Sequence, residues 1–307
     1  MGIKGLFMLE LPKSKSGKKV DSVGEVIDLK DMKGMTLAID ASGMIYSTIL
    51  ALKYVKGMTD SDGNITSHIN TIFFKVLLFK RMGIKQIWVF DSPNSSNLKK
   101  MHELQKRAER KKKAKTEKGQ FTMTSEHVND VKKLLRYMGI SYIQAPDGIE
   151  AEHYAAKLTE GPEESRFCDY VLSADSDVLL FGGNMLRIQK INGKTGYKIY
   201  ERKKVLKALG LNQSQFRKLA LTLGTDFAPK VPGIGPKRAI QAVLDDKIKL
   251  NKIQKKALKL IKAEVPMKQK DFRLHKFNRN KLINWLVSKG FDEARITKSI
   301  DQAFKKK

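Results

Sequence analysis

Short apolar runs alternate along the chain with longer segments whose apolar residues recur at helical spacing. The runs MTLAID at 35–40, QIWVFD at 86–91 and YVL at 170–172 are typical of strands buried in a parallel sheet. Helical spacing extends from Ser42 to about Lys53, from Thr66 to about Met82, and over 125–138. This alternation predicts an α/β fold in which a parallel sheet is flanked by helices.

The pattern changes in the second half of the chain. Residues 185–200, MLRIQKINGKTGYKIY, predict a β-hairpin that turns at Asn192-Gly193 or near Gly196. Residues 214–245 then predict a helix, an acidic loop, a glycine-rich turn and a second helix.

The glycine-rich turn has the sequence GIGPKRA and lies at the start of a helix. Such a turn offers backbone N–H groups and a helix N-terminus to an anion, typically a phosphate of duplex DNA. We therefore assign DNA contact to Gly233, Gly235, Lys237 and Arg238. A glycine-rich loop between two packed helices is the structural alternative, and it stays open.

Acidic residues follow the predicted strands in succession. Asp40, Asp91 and Asp175 each come at or just after a strand end, and parallel strands gather such residues along one edge of the sheet. Asp177 follows closely, and Glu150 and Glu152 open a predicted helix. Carboxylates this close need a compensating cation, and carboxylate oxygens are the ligands that Mg²⁺ and Mn²⁺ prefer. For either pair alone, solvated turn residues are an equally good interpretation.

The net charge of the chain limits the kinds of partner that it can bind. Sixty Lys and Arg against 32 Asp and Glu give +28, a field suited to a polyanion, with nucleic acid the first choice. An anionic membrane is the rival, but the chain has no lipidation signal, and Lys75 interrupts its most apolar run. The single Cys168 excludes an internal disulfide framework. We expect a soluble intracellular protein that binds nucleic acid and no membrane.

Two segments concentrate the positive charge. Residues 99–118 hold ten Lys or Arg and three Glu, and 247–307 hold 19 Lys or Arg and five Asp or Glu. The first segment is either a solvated charged helix or a mobile basic element above the acidic site.

Taken in order, these motifs resemble those of the flap endonuclease family, the XPG-type structure-specific 5′ nucleases. The resemblance covers residues 1 to about 245 and weakens beyond them. It is carried by MGIKGL at the N-terminus, IDAS with Asp40, VFD with Asp91, GIEAE with Glu150 and Glu152, SADSD with Asp175 and Asp177, GTDF with Asp226, and PGIGPKRA.

The resemblance implies a PIN/5′-nuclease-like fold with a helical DNA-binding region. It implies a nuclease domain over 1–245, with a short basic arch at about 99–125 and a helix-two-turn-helix at about 214–245. Residues 246–307 would form a basic helical C-terminal region. The implied cofactors are two Mg²⁺ ions held by the seven acids, with Mn²⁺ as a substitute, and a K⁺ ion at the helix-two-turn-helix.

The implied activity is that of a 5′ flap endonuclease and 5′–3′ exonuclease in DNA replication, repair or recombination. Its substrates would be branched, nicked or flapped duplexes, bound by a monomer in the nucleus or at a viral replication site in the cytoplasm. The alternative is a non-catalytic, structure-specific DNA-binding protein that keeps the nuclease fold. Seven intact acids disfavour that alternative, because unused carboxylates weaken DNA binding.

Family comparison also implies residues at the scissile phosphate. Arg107 matches one of them, and the second is Lys100 or Lys99. The spacing to Arg107 favours Lys100, and the spacing from Leu98 favours Lys99. Tyr46 matches a position that stacks on a base, with a core tyrosine as the alternative. Gly2 is expected near the site once Met1 is removed.

The chain departs from the family pattern in two places. The stretch between Arg107 and the helix near Ser125 is short, so we expect a reduced arch cap and some tolerance of obstructed flaps. The C-terminus has no Q-x-x-L-x-x-F-F motif for a sliding clamp. A large DNA virus is one hypothesis for the source of such a compact member.

Overall fold

A seven-stranded sheet forms the centre of the computed structural model, which describes residues 2–12, 14, 16–51, 57–92, 123–267 and 275–304. The order across the sheet is β1-β7-β6-β5-β2-β3-β4. The strands are β1 Glu25–Ile27, β2 Thr36–Asp40, β3 Lys85–Phe90, β4 Ser141–Gln144, β5 Tyr170–Leu172, β6 Met185–Ile191 and β7 Lys194–Tyr200.

The predicted parallel sheet is confirmed for five neighbouring strands, β6, β5, β2, β3 and β4. The remaining two make the sheet mixed, because β7 is antiparallel to both β6 and β1. The reversal comes from a two-residue hairpin turn in which Asn192 and Gly193 both have positive φ, 49° and 76°. The turn is therefore at Asn192-Gly193, and the alternative near Gly196 is wrong because that residue lies within β7.

Eleven α-helices are present in the described part of the chain. They are α1 Ala41–Ala51, α2 Ser67–Arg81, α3 Ser125–Tyr137, α4 Ala151–Leu158, α5 Asp177–Phe181, α6 Arg202–Leu209, α7 Gln213–Leu223, α8 Pro236–Leu244, α9 Lys252–Ile261, α10 Arg279–Ser288 and α11 Glu293–Phe304. None of these described helices is long and apolar enough to cross a membrane.

The sheet separates two apolar clusters because side chains alternate between its faces. In β2, Ala38 points to one cluster, whereas Leu37 and Ile39 point to the other. The first cluster is covered by helices α4 to α9, and the second by α1, α2, α3, α10 and α11. The basic C-terminal residues thus divide between the two faces, with α9 on one and the last two helices on the other.

Candidate active site

Three aspartates follow three neighbouring strands at the carboxyl edge of the parallel sheet. Asp40 is the last residue of β2, Asp91 directly follows β3, and Asp175 comes three residues after β5. Because β2 lies between β5 and β3, the three strand ends are adjacent. This edge is where open α/β sheets bind their ligands.

The tightest group of acids consists of Asp175, Asp177 and Asp226. One carboxylate oxygen from each lies within 4.8 Å of the others. All three residues are buried, with 5%, 2% and 6% of their surface exposed. Asp177 begins α5, and Asp226 lies in the loop after α7, so a local turn and a distant loop meet here.

One serine hydroxyl and several backbone N–H groups hold the neighbouring carboxylates. The Ser173 hydroxyl donates to Oδ2 of Asp40 over 3.3 Å and accepts from the Asp175 N–H over 3.0 Å. Oδ1 of Asp175 in turn accepts from the Asp177 N–H over 3.0 Å. The Gly43 N–H holds the other oxygen of Asp40 at 2.9 Å. Asp40 therefore belongs to the same bonded group as Asp175 and Asp177.

The start of α4 brings the two glutamates to the same edge. The Ala151 N–H donates to Oδ1 of Asp91 over 3.0 Å, so Asp91 accepts from the N-terminus of this helix. Glu150 is the buried N-cap residue of α4, and the half-buried Glu152 lies in its first turn. We call the seven acids together the acid edge: Asp40, Asp91, Glu150, Glu152, Asp175, Asp177 and Asp226.

The N-terminal segment closes one side of the acid edge. The Gly2 N–H lies 3.5 Å from Oδ2 of Asp226, and the Ile3 N–H donates to the Ser176 hydroxyl over 2.9 Å. Gly2 has φ 83°, and a Cβ at this position would lie 2.1 Å from Oδ1 of Asp175. Only glycine fits at position 2 without displacing a carboxylate. Gly2 thus lies beside Asp175 and Asp226, and its contact with DNA stays a prediction.

The donors at this edge suit a hard divalent cation. Buried carboxylates so close together repel one another unless positive charge compensates them. Among the described residues, the group that can hold a metal consists of carboxylates, without Cys or His. Oxygen-only sites are typical of Mg²⁺ and Mn²⁺, whereas zinc sites draw on nitrogen and sulfur. The residues fit the predicted type of ion.

His153 is buried next to Glu152 but is packed as a structural residue. Its ring stacks on Phe181, with ring centroids 4.2 Å apart. Burial first, and then the positive charges of Arg217 and Lys157, lower the pKa of His153 to about 4. The ring is therefore neutral near pH 7, which is compatible with its apolar neighbour.

The glycine-rich turn lies on the surface between α7 and α8. Gly235 is the N-cap residue of α8, Pro236 occupies its first position, and the Arg238 guanidinium donates to the Gly233 carbonyl over 3.0 Å. A Cβ at Gly233 or at Gly235 would meet nothing within 4 Å. The turn has the exposure that phosphate contact requires, and its DNA contacts stay a prediction.

The structure describes only some of the other residues that are predicted to contact DNA. Tyr46 is 42% exposed on α1, the helix that begins directly after Asp40, so it is not a core residue. Its stacking on a base stays a prediction. Lys99, Lys100 and Arg107, together with most of the proposed arch, lie outside the described residues.

Sequence reasoning missed the residues that hold the carboxylates in place. Ser173 holds the Asp40 carboxylate and the Asp175 backbone, and Ser176 anchors the N-terminal segment by accepting from the Ile3 N–H. The serines that alternate with acids in the SADSD motif were the available signal. Gly43 approaches Asp40 so closely that a Cβ there would lie 2.2 Å from Oδ2. The short IDASG motif contains this glycine, but the sequence alone does not show how closely it approaches the Asp40 carboxylate.

Two family models match the chain. Residues 1–114 match the XPG N-terminal domain, and residues 139–226 match the XPG I-region. All seven members of the acid edge fall within these two stretches. The glycine-rich turn and helices α8 to α11 lie beyond them.

Curated relatives match over most of the chain. Flap endonuclease 1 of Nanoarchaeum equitans is 34% identical over 73% of this chain and 73% of its own length. Flap endonuclease 1 of Sulfolobus acidocaldarius is 31% identical over 93% of each.

Solved structures show the same architecture. Flap endonuclease-1 from Methanococcus jannaschii superimposes with a TM-score of 0.73 at 25% identity, covering 92% of this chain and 95% of its own. The catalytic core of Rad2 in complex with DNA substrate has a TM-score of 0.71 at 21% identity, over 93% and 98%. The second likeness shows the fold alone.

Proposed function

The chain belongs to the flap endonuclease family of XPG-type nucleases, and from that membership we propose how its acid edge works. The protein is a structure-specific flap endonuclease, a hydrolase of DNA phosphodiester bonds. The observation that carries the assignment to this site is the buried carboxylate group, with three oxygens within 4.8 Å. Such a group has no use in DNA binding alone, because it repels phosphate.

The acid edge would hold two Mg²⁺ ions, with Mn²⁺ as a substitute. When bound, such ions lower the pKa of attacking water and neutralise the charge that develops on the leaving oxygen. Asp175, Asp177 and Asp226 form one candidate set of ligands, and Asp40, Asp91, Glu150 and Glu152 extend it along the edge. The hydroxyl and N–H donors on Asp40, Asp91 and Asp175 keep these carboxylates in position before substrate arrives.

Neutral and positive groups would position the DNA around the acids. Gly2 would lie beside the DNA at the acid edge, where the absence of a side chain leaves the Asp175 carboxylate in place. Arg107, with Lys100 or Lys99, would stabilise the charge on the scissile phosphate, and Tyr46 would stack on the adjacent base. The glycine-rich turn, through Gly233, Gly235, Lys237 and Arg238, would grip a duplex arm, with a K⁺ ion at the helix-two-turn-helix.

The substrates would be branched, nicked or flapped duplexes. We also propose 5′ exonuclease activity at nicks and gaps, and some tolerance of flaps whose end is blocked. A bulky protein attached to the flap end tests the last point: cleavage should persist in part, whereas complete inhibition would show that the strand must be threaded.

The test of the function is cleavage of a labelled 5′-flap duplex with and without Mg²⁺. We expect incision near the junction with Mg²⁺ or Mn²⁺ and none after chelation. A duplex without a branch, of the same sequence and length, is the control for structure specificity. Binding of the flap without incision in either metal would support the non-catalytic alternative.

A further inference from the structure

Helix α9 carries a surface of unusual charge. Residues 247–263 contain seven lysines and neither Asp nor Glu. At 100° per residue, Lys252, Lys255, Lys256, Lys259 and Lys262 fall within an arc of about 120°. All five are exposed. We call these five residues the lysine face.

The opposite side of the helix is buried in the first apolar cluster. Gln254, Ala257 and Ile261 are at most 2% exposed, and their directions centre about 170° from the middle of the lysine face. Packing therefore fixes the rotation of α9 and turns all five lysines outward. The charged surface is a property of the fold and not of a freely rotating segment.

The lysine face has no local compensation among the described carboxylates, none of which forms an ion pair with it. The two acids that precede the helix are engaged elsewhere, Asp245 with Lys247 and Asp246 with Lys218. By contrast, Lys204 on α6 pairs with both Glu25 and Glu201. Lysines three and four residues apart repel one another and disfavour the helix that carries them. An external polyanion would relieve this repulsion.

One side chain joins α9 to the loop that carries Asp226. Gln254 closes the capping box of α9 with Asn251 and donates from Nε2 to the Pro229 carbonyl over 3.2 Å. Pro229 lies three residues after Asp226, so their backbones are at most about 11 Å apart. The lysine face thus belongs to a helix anchored beside the acid edge and the glycine-rich turn.

We propose that the lysine face of α9 is a second grip on the duplex part of the DNA substrate, separate from the glycine-rich turn. The helix is ten residues long, about 15 Å, and duplex DNA presents one phosphate per about 3.4 Å of axis on each strand. Three or four phosphates of one strand fall within its reach. Exposed lysines contact phosphates without reading bases, so this grip adds affinity and no sequence preference. The inference rests on the proposed function only in taking the same branched DNA as ligand.

The test compares two triple variants that each remove three positive charges. One carries Lys252→Gln, Lys256→Gln and Lys259→Gln in the lysine face. The control carries Lys30→Gln, Lys33→Gln and Lys203→Gln, exposed lysines beside the start of β2 and the end of β7, at the edge opposite the acids. Affinity for a fluorescent 5′-flap duplex is measured without divalent ions over a series of salt concentrations.

Loss of the grip should appear in both affinity and salt dependence. For the lysine-face variant we expect affinity in 0.1 M salt to fall on the order of 30- to 100-fold, and the slope of log K against log salt to become shallower by about two to three. The control should change far less. Equal changes in both variants would overturn the proposal, because they would report only net charge. The proposal would also be overturned if the lysine-face variant lost binding to anionic vesicles but kept its affinity for DNA.

Binding and cleavage separate this inference from the proposed function. With enzyme saturating the DNA, single-turnover cleavage of the lysine-face variant should match the parent, because the acid edge is untouched. If the parent does not cleave but the lysine-face variant still binds less tightly, the grip stands and the nuclease assignment fails. If the parent cleaves normally and the lysine-face variant binds as tightly as the parent, the nuclease assignment stands and the grip fails.

A crosslinking experiment tests the contact directly. Cys168 is buried, and burial raises the pKa of its thiol, so a new surface cysteine will react selectively. A photoactivatable group on Lys256→Cys should crosslink to the duplex, whereas the same group on Lys203→Cys should not. Crosslinks from position 256 only to the single-stranded flap, or to no DNA at all, would overturn the proposal.

Discussion

The acid edge and the lysine face of α9 hold opposite charges in opposite ways. The carboxylates of the acid edge are mostly buried, and the Ser173 hydroxyl and three backbone N–H groups hold several of them at about 3 Å. The lysine face is exposed, and no described carboxylate pairs with it. One surface is held by specific hydrogen bonds, and the other presents charge on long, exposed side chains.

The difference follows from what each surface has to do. Bond cleavage depends on distances at the reacting atoms, and a misplacement of about 1 Å can cost roughly 100-fold in rate. Holding a duplex requires only positive charge near phosphates, which tolerates movement of lysine side chains. Changes at the acid edge should therefore affect rate, and changes at the basic surfaces should affect affinity.

Replacing Asp177 gives the largest expected effect. Asp177→Ala removes a carboxylate from the group of three whose oxygens lie within 4.8 Å, and cleavage should fall roughly 1,000-fold or more. DNA affinity should stay equal or rise, because an acid facing phosphate is lost. Single-turnover rates and equilibrium binding are measured on the same flap. Glu164→Ala, at an exposed loop, is the control and should leave both unchanged. Near-normal turnover of Asp177→Ala would exclude this site.

Gly2→Ala tests how tightly the acid edge is arranged. The added Cβ would lie 2.1 Å from Oδ1 of Asp175 at a φ of 83°, so the N-terminal segment or the carboxylate must shift. We expect a loss of about 100-fold in cleavage rate with little change in affinity. Gly17→Ala introduces the same kind of backbone strain, at φ 65°, but its Cβ would meet nothing within 4 Å. If both variants cleave equally slowly, backbone strain and not the contact with Asp175 is responsible.

Gly235→Val should do the opposite of Gly2→Ala: it should lower the affinity for duplex DNA and leave the acid edge intact. Gly235 has φ −89°, which valine adopts, and its Cβ would point into open space, so the fold should accept the change. The bulk would stand between a phosphate and the start of α8, and we expect duplex affinity to fall about tenfold. Gly235→Ser keeps a good N-cap residue and adds less bulk, so it should bind close to the parent. Metal affinity by calorimetry should be unchanged, and a loss there would indicate damage to the fold.

The local parts of both regions could be predicted from the sequence. Apolar runs ending in Asp40 and Asp91 identified strands and the edge where their acids meet, because periodicity and strand ends are local properties. Asn192-Gly193 was one of the two predicted positions of the turn, because Asn followed by Gly favours a two-residue hairpin turn. The antiparallel strand β1 was missed because three residues carry too little pattern.

The contacts between distant segments could not be predicted in the same way. Gly2 lies 224 residues from Asp226, and Ile3 lies 173 residues from Ser176. No periodicity links such positions, and only the family resemblance suggested Gly2. The C-terminal charge run likewise gave no sign that α9 would pack on one face of the sheet and α11 on the other. Packing of amphipathic helices depends on which apolar surface remains uncovered, and that is a property of the whole fold.

The smallest predicted effect concerns the anchor of the N-terminal segment. Tyr200 donates its hydroxyl to Oδ1 of Asp21 over 2.5 Å, and Lys198 donates to Oδ2 over 2.7 Å. Burial acts to raise the pKa of Asp21, but these two hydrogen bonds and the charge of Lys198 outweigh it, so the pKa lies below 3.8. Asp21 directly follows Val20, whose N–H donates to the Leu9 carbonyl. This hydrogen bond joins the anchor to the segment that reaches the acid edge.

Asp21→Asn should lower the free energy of unfolding by about 1 kcal/mol at pH 7, because the carboxylate is partly exposed and its hydrogen bonds are partly screened. A carboxyl group whose pKa is lowered by folding stabilises the protein above the unfolded-state pKa of 3.8. This contribution is lost as pH falls through the lower folded-state pKa. The difference between parent and variant, measured by urea unfolding, should therefore shrink from pH 7 to pH 3. The exposed Asp31→Asn is the control for the loss of one negative charge at the surface. Cleavage by Asp21→Asn should stay within about twofold of the parent, since the acids keep their own hydrogen bonds. A larger loss of rate would mean that the position of Gly2 depends on this distant anchor.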